Sequence, residues 1–187
     1  MLSRWLVLSL LLASCAGQSP HLYMLDGVEA PPYRGIRQPM TIALGEPGAR
    51  AGYDTPDMAY TTKPHEIRYF SRNRWIAPPA KMLQPILSDA LSKRFDQVVD
   101  APAAAGLRLD SEIVLFRQEF SGGSSRFHLV VKARLGRGDN RTFDVSEPCA
   151  SNDPYGGVLA ANSAIAEVSR RIADYALEAA QSRRRGE

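Results

Sequence analysis

From Arg126 to Leu135 the chain alternates. Phe127, Leu129, Val131, Ala133 and Leu135 take every second place, and Arg126, His128, Lys132 and Arg134 take all but one of the places between. That is the period of a strand with one face in a core and the other in water. Leu107 to Phe120 precedes it, with Ser121-Gly122-Gly123-Ser124-Ser125 as a turn between, so the two runs read as one long β-hairpin.

A hairpin cannot bury its own apolar face, so the rest of the chain has to cover it. Two stretches have the helical period that this requires. Between Trp75 and Asp96, Met82, Leu83, Ile86, Leu87, Ala90, Leu91 and Phe95 fall on one face, with Asp89, Lys93 and Arg94 among the polar positions. Pro78 and Pro79 suit the start of this helix, while Pro85 belongs in its first turn or kinks it. From about Tyr155 to Ser182, Val158, Ile165, Val168, Ile172, Tyr175 and Ala179 form a second stripe. Shorter strands are expected at His21 to Leu25, Met40 to Leu44, Met58 to Thr61 with Glu66 to Phe70, and Arg141 to Ser146. The order β-β-β-α-β-β-β-α predicts the α+β class: a single domain over residues 21–182, an antiparallel sheet, and two amphipathic helices packed on one face. Residues 183–187 form a basic tail.

The first residues do not fit that domain. Arg4 is followed by an apolar core from Trp5 to Leu12, about half of the roughly 20 residues needed to cross a bilayer. Leu12-Ala13-Ser14-Cys15 comes next and resembles the lipobox of a bacterial lipoprotein. On that reading residues 1–14 are a signal peptide, Cys15 is the acylated residue, and 15–20 are a lipidated tether. Ala16, in place of Asp, points by resemblance to sorting to the outer membrane of a Gram-negative cell. Ordinary cleavage after Ala16 is the alternative. Either way Cys149 is left without a partner within the chain, and a lone thiol in the periplasm reads as a small buried hydrophobe.

Charge excludes one class of partner. Lys and Arg number 23 against 20 Asp and Glu, and they are dispersed until Arg183-Arg184-Arg185, so no phosphate-tracking surface for nucleic acid is expected. Catalytic signatures are missing too. There is no phosphate loop and no Gly-x-Ser-x-Gly elbow, and His21, His65 and His128 lie far apart without ligands at metal spacing. We therefore expect no catalytic residues, no metal and no cofactor, and simple surface exposure for His128.

Two segments hold more than a generic domain requires. One is Tyr53-Asp54-Thr55-Pro56-Asp57-Met58-Ala59-Tyr60, followed by Tyr69-Phe70 and Trp75. The other runs from Ser151 to Asn162. In it Asp153-Pro154 suits a helix start, but Tyr155-Gly156-Gly157 does not, since each glycine there costs roughly 1 kcal/mol against alanine. Close backbone approach to something is implied. The expected partner-binding region is Asp153, Pro154, Tyr155, Gly156 and Gly157 with the surface near Tyr53, Asp54 and Trp75. Core or staple roles for Trp75 and Tyr155 are the competing reading.

With Cys15, the early strand bearing Tyr23, these two segments, the amphipathic helix and the late hairpin in this order, the chain resembles the ABC-type transport auxiliary lipoproteins, the PqiC-like partners of MCE-domain lipid transporters. The resemblance implies a non-enzymatic, outer-membrane-anchored periplasmic protein. It would assist an inner-membrane ATPase, permease and MCE protein in moving phospholipids or other hydrophobic molecules between the membranes. A domain of this size spends its apolar faces on its own core and cannot also enclose a conduit. That favours docking to the MCE protein, as a homo-oligomeric ring of copies around a conduit, over a stand-alone periplasmic binding module for a small apolar ligand.

Overall fold

The computed structural model describes residues 19–27, 33–100, 106–138 and 140–186; the signal peptide, Cys15 and residues 28–32 of the first loop lie outside them. Its elements in chain order are β1 His21–Tyr23, β2 Gln38–Leu44, β3 Gly48–Ala49, β4 Asp57–Thr61, β5 Arg68–Trp75, α1 Pro79–Ser92, β6 Phe95–Val99, β7 Leu107–Ser121, β8 Ser124–Leu135, β9 Arg141–Pro148 and α2 Pro154–Gly186.

The β7–β8 hairpin is the spine of a single sheet. Its turn is tighter than expected: Ser121 pairs with Ser124, and only Gly122 and Gly123 lie between, at φ 56° and 83°. That is the two-residue turn whose twist matches the strands, and both positions need left-handed backbone. A bulge at Val114 separates the pairs Ile113–Val131 and Leu115–Val130, which sharpens the strand's twist midway.

On its other edge β8 pairs antiparallel with β9. The far edge of β7 is shared by three strands in succession. β2 pairs at Leu107–Leu109, β3 at Glu112–Ile113 and β4 at Gln118–Glu119, all parallel to β7. Residues 38–61 thus act as one broken strand. Beyond β2 lies β6, parallel; beyond β4 lies β5, antiparallel; and β1 closes that wing parallel to β5.

The α+β class, the single domain and both helices hold, but the sheet is mixed, not antiparallel. The cause is topological. The chain passes through α1 and β6 before β7 begins, so β7 runs in the same sense as the broken strand instead of folding back on it. β6 was hidden because Phe95 fits the helical stripe as well as a strand, and β3 is only two residues long.

Both helices cover the same face. α2 packs on β8 and β9, and α1 on α2 and β6. The alternating residues of β8 all point beneath them: Phe127, Leu129, Val131, Ala133 and Leu135 are buried. On α2 the contact is made by Ala160, Ala161, Ala164, Ala173, Ala176 and Ala180 beside Ile165, Val168 and Ile172, so a stripe of small residues lets the helix lie close to the sheet. Arg94 is buried, not solvated. Its guanidinium donates to Asp174 of α2 at 2.7 Å and to the Ala90 carbonyl at 3.0 Å, fastening the end of α1 to α2. The helix α2 also takes in Arg183, Arg184 and Arg185 as its last turn, and Arg183 donates to the Gly106 carbonyl at 3.2 Å. No helix among the described residues is long and apolar enough to cross a membrane.

Candidate functional site

The segment from Ser151 to Asn162 is the joint at which α2 meets the sheet and the N-terminal strand. Asp153 caps the helix: its Oδ1 accepts the Gly156 N–H at 2.7 Å. That bond, with the Ser151 hydroxyl, holds the carboxyl below the usual carboxylate range. A Cβ on Gly156 would collide with the Ser151 carbonyl oxygen, and a Cβ on Gly157 with the carboxamide of Gln118. The close approach implied by the two glycines is therefore to the protein's own backbone and core.

Gln118 is the buried hub beneath them. Its Nε2 donates to the Ser125 hydroxyl at 2.9 Å and to the Asp153 carbonyl at 3.1 Å, and lies 3.6 Å from the Cys149 sulfur. One side chain thus ties the hairpin to the β9–α2 connection and the helix start. Burial pushes the Cys149 thiol up, so it is held neutral, the wrong form for a nucleophile.

Just over two turns along α2, Asn162 is a clamp. Its Oδ1 accepts the N–H groups of Asp26 at 2.9 Å and Gly27 at 3.3 Å, while its Nδ2 donates to the Val158 carbonyl at 3.1 Å and the Met24 carbonyl at 3.3 Å. The Tyr23 and Tyr155 rings lie 6.2 Å apart beside it. Nothing local in the sequence announces a contact between residues 138 apart, although Asn162 closes the segment that stood out.

The expected partner residues therefore separate. Asp153 and Tyr155 are exposed, while Gly156 and Gly157 are buried in the joint. Trp75 is 2% exposed with its ring 5.5 Å from that of Phe116, so its core reading holds and it offers no surface. Tyr53 interacts with Arg117, and Asp54, exposed, accepts the Gly52 N–H at 3.1 Å. Arg117 and Gln118 are consecutive on β7 and point to opposite faces. The structure thus puts Tyr53 and Asp54 on the helix-free side and the glycines on the helix side.

That open face carries a charge network. Glu119 accepts from Arg117 at 2.7 Å and Arg126 at 2.9 Å and faces His128 Nδ1 at 3.3 Å, and His128 Nε2 lies 2.9 Å from Asp144. His128 is half-buried between two carboxylates and not simply exposed. Burial raises the Glu119 pKa, but the hydrogen bonds from Arg117, Arg126 and His128 outweigh it and bring it down to about 2. A shallow cleft of about 690 Å³ opens at the hairpin tip, lined in part by Thr61, Lys63, Arg117, Glu119, Arg126 and Cys149. Two of its three cations are paired with Glu119 and Lys63 lies 3.7 Å from Glu66, so it presents little unpaired charge to a ligand. His21 and His65 are exposed, and no group of three His, Cys, Asp or Glu able to hold a metal occurs among the described residues.

Comparison with solved structures agrees on the fold. A protein from Xanthomonas campestris of the DUF330 family is 18% identical, with TM-score 0.78 over 88% of this chain and 99% of its own. An uncharacterized protein is 14% identical, with TM-score 0.65 over 84% of this chain and 99% of that one. No curated protein matches the sequence. The family model of the ABC-type transport auxiliary lipoprotein component matches residues 23–173, from the last residue of β1 deep into α2. The chain belongs to that family, the auxiliary lipoproteins of ABC-type transport systems.

Proposed function

We propose that this protein is anchored in the outer membrane through acyl chains on Cys15 and that it assists an MCE-domain protein in lipid transport across the periplasm, without catalysing a reaction. The family match from Tyr23 into α2 carries the reading, and the sequence Leu12-Ala13-Ser14-Cys15 supplies the anchor. Each buried methylene of an acyl chain contributes about 0.8 kcal/mol, so more than one chain makes the attachment stable.

In this reading ATP hydrolysis elsewhere in the machine drives transport, and the lipoprotein contributes position. Its core is filled by its own side chains, which favours docking over carriage of a lipid. Of the expected partner residues, Asp54, Asp153 and Tyr155 are exposed, and we keep the two carboxylates, Asp54 and Asp153, as contacts to the transporter. The direct test is the mass of the mature N-terminus. Acylated Cys15 in the outer-membrane fraction is expected, with Cys15→Ser accumulating as precursor. A soluble protein that begins at Gly17 contradicts the anchor.

A further inference from the structure

Eight large apolar side chains are exposed among the described residues, and five of them surround β1: Leu22, Met24, Ile76, Tyr155 and Leu159, each 47–61% exposed. They border the β1 edge from both sides of the sheet: Leu22 and Met24 alternate with Tyr23 and point away from the helices, while Tyr155 and Leu159 belong to α2 on the Tyr23 side. Ile76 donates its N–H to the Tyr23 carbonyl at 2.8 Å, Tyr155 packs by Tyr23, and Leu159 lies one helical turn beyond Tyr155, next to the Asn162 clamp on Met24. β1 is also an edge. It pairs with β5 alone among the described strands, so one row of its backbone groups is unpaired.

We propose that this patch is a membrane-contact surface, seated at the headgroup level of the bilayer that holds the acylated Cys15. The inference rests on that reading of Cys15. Five residues lie between Cys15 and His21, a reach of at most about 20 Å. The patch is therefore held close to the lipid at high effective concentration, an advantage no diffusing partner has. Apolar side chains and tyrosine rings suit the boundary between headgroups and acyl chains, where headgroups can also bond the open β1 edge. The Asn162 clamp gains a purpose: it fixes the patch on the end of the tether, so that α2 keeps one orientation to the membrane.

Bromine-labelled acyl chains test this by quenching tryptophan. The full chain, shown by mass to be acylated, is reconstituted in vesicles of three parts phosphatidylethanolamine to one part phosphatidylglycerol. Leu159→Trp and Ile76→Trp each place a probe on the patch, Ser182→Trp places one at the far end of α2, and Trp75 is a buried background. The expected result is emission at least twofold weaker in brominated vesicles for both patch probes and unchanged emission for Ser182→Trp. An acylated protein whose patch probes are quenched no more than Ser182→Trp overturns the inference and leaves the anchor intact. Probes shielded from acrylamide yet untouched by bromine would give the patch to a protein, which also overturns it. A protein without acyl chains overturns the anchor, and this inference with it.

Discussion

Gln118 and Glu119 are neighbours on β7 and meet opposite fates. Gln118 is buried under α2 and spends its amide on the Ser125 hydroxyl of β8 and the Asp153 carbonyl at the start of α2; Glu119 lies on the open face and is shared by two arginines and a histidine. On the covered side polar groups are few, the Gln118 Oε1 and the Ser169 hydroxyl having no hydrogen-bond partner, and alanines and a glycine set the distance of closest approach. On the open side charges are many and pair with one another in reach of water, where each pair contributes little. Stability should therefore concentrate under the helices, and the open face should tolerate change and remain available to a partner.

Trp75→Ala tests the covered side hardest. Removing a fully buried indole should cost about 4 kcal/mol, or a thermal midpoint lower by roughly 10 °C. A midpoint within a degree or two of wild type would mean that Trp75 is not in the core. Gly156→Val comes next, because the obstacle is the Ser151 backbone and not a flexible side chain. About 3 kcal/mol of overpacking is expected, read by denaturant titration. Loss of transport with unchanged stability would return the glycine to the partner-binding role and sharpen the contrast in the other direction.

The open face yields smaller effects. Glu119 has its pKa lowered in the fold, to about 2 from the model-peptide 4.5, so its contribution is complete above the unfolded value and fades as pH falls towards the folded one. Between pH 5 and about pH 2, wild type should lose about 1 kcal/mol more than Glu119→Gln once screening is counted; parallel pH profiles would contradict the network. Arg134→Ala breaks a 3.7 Å exposed pair with Asp110 and should change unfolding by no more than about 0.5 kcal/mol.

How much of this was legible depended on distance along the chain. The alternation of β8 fixed its inner face residue by residue, and the stripe Val158 to Ala179 located α2, because both are local periods. Parallel pairing was not legible: nothing in Met40 to Leu44 says that its partner is Leu107 to Leu109 and not an adjacent strand. Phe95 satisfied two periods at once and concealed β6. At the site, the oddity of Gly156 and Gly157 was visible, but its cause was not. A glycine reports a close approach without saying to what, and here Ser151 and Gln118 answer. Arg94 and His128 looked like solvated positions because their partners, Asp174 and Asp144, are 80 and 16 residues away.

The measurement closest to the central claim is purification of the acylated full chain, tagged after Glu187, from outer membranes solubilised in mild detergent. The account predicts that an MCE-domain protein is retained with it, and that the Asp54→Arg, Asp153→Asn double variant retains less while remaining folded and anchored. A folded, acylated protein that purifies without any MCE-domain protein, from cells shown to contain one, would contradict the account.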